Sequence, residues 1–280
     1  MAGTDTRRSS RAALRERVDP VDAARKGIKG LAWLTDRLTQ PLEGPRMLIY
    51  HQVAADNGQQ MDLDGGDFQR QMHWLASTER VRRLEDVLAN LDTPDDEYVI
   101  TFDDGYEDMY DNGFPLLKEL GLPFTLYLTT APIETRRPLR DDGRSIPVTW
   151  DHVGEMVASG LVTMGAHTHT HPDLRHVSED EIEHEIGASN ELILERTGES
   201  ADHFTYPWGY WTQAADRVMR RHYSSATVAG CDTTRFASPY SIPRLPVQLA
   251  DGWTFFRPRL RGGFRIEDKI RRLVSGYEGP

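Results

Sequence analysis

Short apolar runs, three to six residues long, recur along this chain and alternate with segments of helical periodicity. No other feature limits its fold so strongly. Residues 47–50, 98–102, 124–129, 161–165, 204–206, 225–228 and 242–247 read as buried strands. Between them, Phe68, Met72 and Leu75 share one face of a helix over 68–76, and 84–91, 114–120, 151–159 and 214–222 read as further helices. Gly121 stands where a C-capping glycine stands. Ser178-Glu179-Asp180-Glu181 fits a capping box that opens a helix running to about Arg196, stopped by Gly198. Strands alternating with helices predict a parallel sheet. So many units in one chain favour a closed or nearly closed barrel, with its chemistry at the carboxyl ends of the strands.

A chain of 280 residues is long enough to bury a substantial core. Residues 1–45 read as an N-terminal extension, and 46–280 as the domain that carries the barrel. Within the extension, Ile28, Leu31, Leu34 and Leu38 lie at helical spacing over residues 20–38. That segment reads first as a helix packed on the outside of the domain. Its second reading is a basic helix lying on a membrane surface, so peripheral membrane contact stays open. The formal net charge of −11 argues against a nucleic-acid partner, because phosphate backbones repel it. Cys231 is the one cysteine, so no intrachain disulfide forms, and it reads as a small core residue. No apolar stretch of signal-peptide or membrane-spanning length appears, which leads to the expectation of a cytoplasmic protein. Oligomeric state stays open.

Two clusters at predicted strand ends carry chemistry. Thr101-Phe102-Asp103-Asp104-Gly105 sets two carboxylates side by side, an arrangement that repulsion and burial both oppose and a cation relieves. The plain alternative is a solvated Asp-Asp-Gly turn. His167-Thr168-His169-Thr170-His171-Pro172 puts two imidazoles four residues apart, and Pro172 keeps them on a loop. Together the clusters offer one carboxylate and two imidazoles to a metal, leaving open positions as a catalytic metal requires. The second aspartate is then free to act as a base on water.

TFDDG, then HTxxHP about 60 residues later, then YPxG, resembles the polysaccharide deacetylases of carbohydrate esterase family four, over about residues 50–247. The resemblance implies a distorted (β/α) barrel, here of about seven parallel strands. It implies Asp103 as catalytic base and Asp104, His167 and His171 as ligands of a divalent metal, usually zinc. The implied activity is removal of N-acetyl groups from a GlcNAc-type amino sugar in a poly-, oligo-, lipid- or nucleotide-linked saccharide. A carbohydrate O-acetyl esterase and a non-catalytic carbohydrate-binding barrel are the alternatives. The oxyanion would meet the metal and a backbone N–H near Tyr106.

Two departures from the family pattern matter. An arginine often stands two residues before the motif's proline, Pro207, and holds the base; here that position is Thr205. Arg244 is the candidate substitute. Many members also donate the leaving proton from a late histidine, and none follows His222 here. His51, His169 or Asp103 itself remains for that step. Leu245 is a candidate for a pocket around the acetyl methyl group. Pro207 and Trp208 are candidates for substrate binding, the indole stacking on a sugar face.

Overall fold

The computed structural model describes residues 29–30, 44–89, 96–140, 145–230 and 238–262, with the isolated positions 269, 273 and 276. Most of the segment over 20–38, and Cys231, lie outside the described residues.

Seven strands form a closed, all-parallel barrel. In chain order the barrel strands are β1 (Arg46–Tyr50), β4 (Tyr98–Phe102), β5 (Phe124–Leu128), β6 (Val162–Ala166), β7 (His203–Thr205), β8 (Ser225–Ala229) and β9 (Ile242–Pro246). The barrel closes where β9 meets β1 through Leu48↔Leu245 and Ile49↔Pro246. This is the expected fold class. Beside it lies a small parallel pair, β2 (Gln52–Val53) and β3 (Asp62–Leu63).

The helices are α1 (Gly65–Thr78), α2 (Leu84–Ala89), α3 (Phe114–Leu120), α4 (Thr130–Thr135), α5 (Trp150–Ala158), α6 (Glu179–Thr197), α7 (Gln213–His222) and α8 (Gly252–Leu260). Local chemistry fixes their ends. The Asp64 carboxylate accepts from the backbone N–H of Gly66 and Asp67 to start α1. The Ser178–Glu181 capping box opens α6, and Gly198 in the left-handed region closes it. Gly121 ends α3 in the same way. Among the described residues, no helix is long and apolar enough to cross a membrane.

The strands are buried on both faces, and their period of two sorts side chains between two cores. Leu48, Tyr50, Ile100, Phe102, Phe124, Leu126 and Phe204 belong to the large cluster that also takes in the helices. The intervening Met47, Val99, Tyr127 and Ile242 form a separate cluster inside the barrel, closed by Leu84 and Val87 of α2. The next residues in the same phase, Thr101, Thr205, Thr227 and Arg244, are buried and polar. One step further along lie the strand ends.

Candidate metal centre and active site

Alternation along β4 carries Asp103 to the mouth of the barrel, in phase with Val99 and Thr101. The chain then turns sharply, with φ of 71° at Asp104 and 86° at Gly105. A Cβ at Gly105 would lie 2.7 Å from Leu128 Cδ2, so this turn requires glycine. The turn brings both carboxylates to one cavity of about 340 Å³. His167 follows β6 into the same cavity, and His171 returns to it at the end of the loop. Thr168, His171 and Trp208 also have φ between 62° and 67°. Left-handed backbone costs an L-residue about 1–2 kcal/mol, and here it gathers at one site.

Three side chains converge. His167 Nε2 lies 3.1 Å from His171 Nε2 and 3.3 Å from Asp104 Oδ1, and His171 Nε2 lies 3.6 Å from that same oxygen. Ligand bonds of about 2.1 Å in a tetrahedral shell put ligand atoms roughly 3.4 Å apart, so this spacing fits one divalent cation. The hydrogen bonds point the same way. His167 Nδ1 donates to the Thr205 carbonyl at 2.8 Å, which leaves the Nε2 lone pair facing its neighbours. Asp104 Oδ1 is buried with no hydrogen-bond partner. Burial, aided by His167, pushes His171 down to about 4, so the ring is neutral near pH 7 as a ligand must be. Burial works to raise Asp104, but the imidazoles of His167, His171 and His51 reverse this and hold the carboxylate ionised. Two lone pairs and a carboxylate therefore face one another, an arrangement a cation completes.

Asp103 stands beside this triad with a different partner. Arg244 Nη1 and Nη2 donate to Asp103 Oδ1 and Oδ2, both at 2.7 Å. Nη1 also donates to Thr101 Oγ1 at 2.6 Å, and Nη2 donates to Thr205 Oγ1. Burial would raise Asp103, but the Arg244 guanidinium outweighs it and holds the carboxyl below its ordinary value. Thr205 thus accepts a hydrogen bond from the arginine of β9 at the position where the family pattern often has an arginine.

The other candidates separate. His51 lines the cavity; burial lowers its imidazole, against the pull of Asp104 and Asp103. His169 does not line it: its Nδ1 lies 2.9 Å from Thr130 Oγ1, and its backbone N–H donates to Glu185. Trp208 stands at the rim, half-exposed, its ring 5.1 Å from that of His171. Pro207 and Tyr106 are buried and do not line the cavity. Leu245 is buried in the outer hydrophobic cluster and does not line it either. It follows Arg244 in β9, so when the arginine faces inward the leucine faces the helices. Sequence reasoning missed Gln59, Gln60, Met61, Arg140 and Gln248, which complete the wall. They come from irregular connections, where neither period nor spacing marks a residue.

The sequence over residues 90–225 matches the family model described as polysaccharide deacetylase. No curated protein matches the chain significantly. Among solved structures, IcaB from Ammonifex degensii is 23% identical with a TM-score of 0.68, covering 78% of this chain and 97% of that one. The Streptococcus pyogenes deacetylase PplD, in complex with acetate, is 20% identical with a TM-score of 0.66, covering 79% and 99%. A de-N-acetylase from Aggregatibacter actinomycetemcomitans is 19% identical with a TM-score of 0.64, covering 77% and 99%. At these identities the structures establish a shared fold alone. The matched span contains both motif clusters and the third motif in their expected order, so this stretch of the chain is similar to the polysaccharide deacetylases in sequence as well as in fold.

Proposed function

We propose that this protein is a divalent-metal-dependent N-deacetylase that removes the acetyl group from a GlcNAc-type amino sugar in a poly-, oligo-, lipid- or nucleotide-linked saccharide and releases acetate. One observation carries the reading. A single cavity holds a three-atom ligand face, Asp104, His167 and His171, next to a carboxylate outside that face, Asp103, gripped by a guanidinium.

Asp104, His167 and His171 would hold the cation, and two nitrogens with one oxygen suit zinc. Bound there, it would supply Lewis acidity for the acetamide carbonyl and for water. The chain's own residues do the rest. Arg244 fixes the plane of the Asp103 carboxylate through two parallel hydrogen bonds, leaving the carboxylate ionised and fit to take a proton. Asp103 takes that proton from the attacking water. His169 faces Thr130, whereas His51 lines the cavity. Asp103, carrying the proton taken from water, and His51 on the same cavity wall are the groups placed to return a proton to the leaving nitrogen, and amine and acetate leave. Trp208 offers an exposed aromatic face to the sugar at the rim. The activity named for the Aggregatibacter protein favours the amide over the ester.

Acetate release from a panel of N- and O-acetylated sugars tests this, using protein stripped of metal and reloaded with zinc, beside Asp103→Asn. Release from amides that returns with zinc and falls at least about 100-fold in the variant is the expected result. Release from esters alone would make the protein an O-acetyl esterase. Tight zinc binding with no release from any sugar would make it a binding barrel.

A further inference from the structure

Arg140 stands on the cavity wall beside Trp208. Its guanidinium reaches Gln59 Oε1 at 3.5 Å and Met61 Sδ at 3.7 Å, both neutral acceptors at the edge of hydrogen bonding. Its Cζ lies 5.8 Å from the centre of the Trp208 ring. The other arginine of the cavity, Arg244, is locked onto Asp103, whereas among the described residues Arg140 forms no ion pair with a carboxylate. An arginine carries five N–H donors in a planar fork that matches a carboxylate or a phosphate.

Other donors share this wall. Gln248 Oε1 accepts from Lys29 Nζ at 3.3 Å. An ammonium group only donates, so the contact fixes the orientation of the Gln248 amide and leaves its –NH₂ as the free end. Gln60 Oε1 accepts from the Ala250 N–H at 3.3 Å, while its buried Nε2 has no acceptor. Arg140, Gln60 and Gln248 come from three separate connections and line one cavity. All three have donors to offer and a shortage of acceptors, in a chain of net charge −11 whose surface otherwise repels anions.

We infer that this wall is a subsite for an oxyanion carried by the substrate, a carboxylate or a phosphate on the acetylated sugar or its neighbour, with Arg140 as the residue that selects it. The inference rests on the deacetylase reading above and names the substrate class within it. A neutral sugar would leave the fork unmatched, whereas an anionic one forms charge-assisted hydrogen bonds with it.

The test compares three matched ligands: a neutral N-acetylglucosamine disaccharide, the same unit joined to a uronic acid, and N-acetylglucosamine phosphate. In acetate release, kcat/KM for at least one anionic ligand should exceed that for the neutral one by about tenfold or more. Arg140→Gln should collapse this preference, and Arg140→Lys should keep part of it. Which anion carries the preference identifies the carboxylate or the phosphate as its source. Calorimetric binding of the same ligands to zinc-loaded protein carrying Asp103→Asn, with and without Arg140→Gln, reads the preference without turnover. Anion binding that depends on Arg140, with no acetate released from any ligand, would keep the subsite and sink the deacetylase reading. Acetate release without any anion preference would do the reverse. Equal loss on all three ligands in Arg140→Gln would also overturn the inference, leaving Arg140 as a prop for Trp208.

Discussion

Asp103 and Arg244 lie 141 residues apart in sequence and meet through two hydrogen bonds of 2.7 Å. A buried carboxylate that loses its partner costs several kcal/mol, about 3–5. Arg244→Ala is therefore expected to lower stability by that amount and kcat by about 100-fold, while calorimetry still finds one zinc bound. Adding Thr205→Arg to that variant returns a guanidinium to the neighbourhood from β7, and part of the lost kcat should return with it. An Arg244→Ala variant of unchanged kcat would sink the positioning role. Asp103, Asp104, His167 and His171 could be picked out from sequence because motif and strand end coincide. The candidacy of Arg244 came from a vacancy, the threonine at 205. Arg140 and the glutamines left no trace, since a loop residue acquires its neighbours only through the fold.

At the scale of elements, the barrel strands could be read because burial on both faces makes them nearly continuous apolar runs. Bounds moved only slightly: β7 ends at Thr205, one residue earlier than expected. Two-residue strands such as β2 and β3 are too short to show a period. The helix α8 contains Pro258, which ordinarily argues against helix. The short 3₁₀ turn after β7, Pro207–Gly209, depends on close packing against β8. Gly209 has φ of 72°, and a Cβ there would lie 2.5 Å from Ala229 Cβ. Gly209→Ala is expected to lower stability by about 1–3 kcal/mol, seen as a lower thermal midpoint. Pairing it with Ala229→Gly should recover only the part due to the Cβ–Cβ contact, because the Ala229 backbone nitrogen, 2.9 Å from the same position, and the left-handed backbone remain.

Across the whole molecule, a buried ion cluster ties the region before the barrel to the region after β9. Asp251 Oδ1 accepts from Lys29 Nζ at 2.6 Å and from Arg259 Nη2 at 2.8 Å, and Asp251 Oδ2 accepts from Arg259 Nε at 2.9 Å. Burial would raise the Asp251 carboxyl, but Arg259 and Lys29 overcome this and hold it below its ordinary value. A depressed folded value means the stabilisation is fully present above the unfolded value of about 3.9 and is lost as pH falls through the folded one. Asp251→Asn should thus cost about 3–5 kcal/mol at pH 7 in urea unfolding. The gap from the parent protein should narrow as the pH is taken well below 4. A gap that stays constant down to acid would remove the cluster from the stability account.

β9 closes the barrel, and two of its five residues, Pro243 and Pro246, have no N–H to give a neighbour. Its register with β1 spans only Leu48↔Leu245 and Ile49↔Pro246. The guanidinium that neutralises Asp103 rides on this lightly stitched strand. Until that seam shuts, the Asp103 carboxylate lacks the guanidinium that offsets its burial. Closing the barrel and neutralising its buried carboxylate are thus one event.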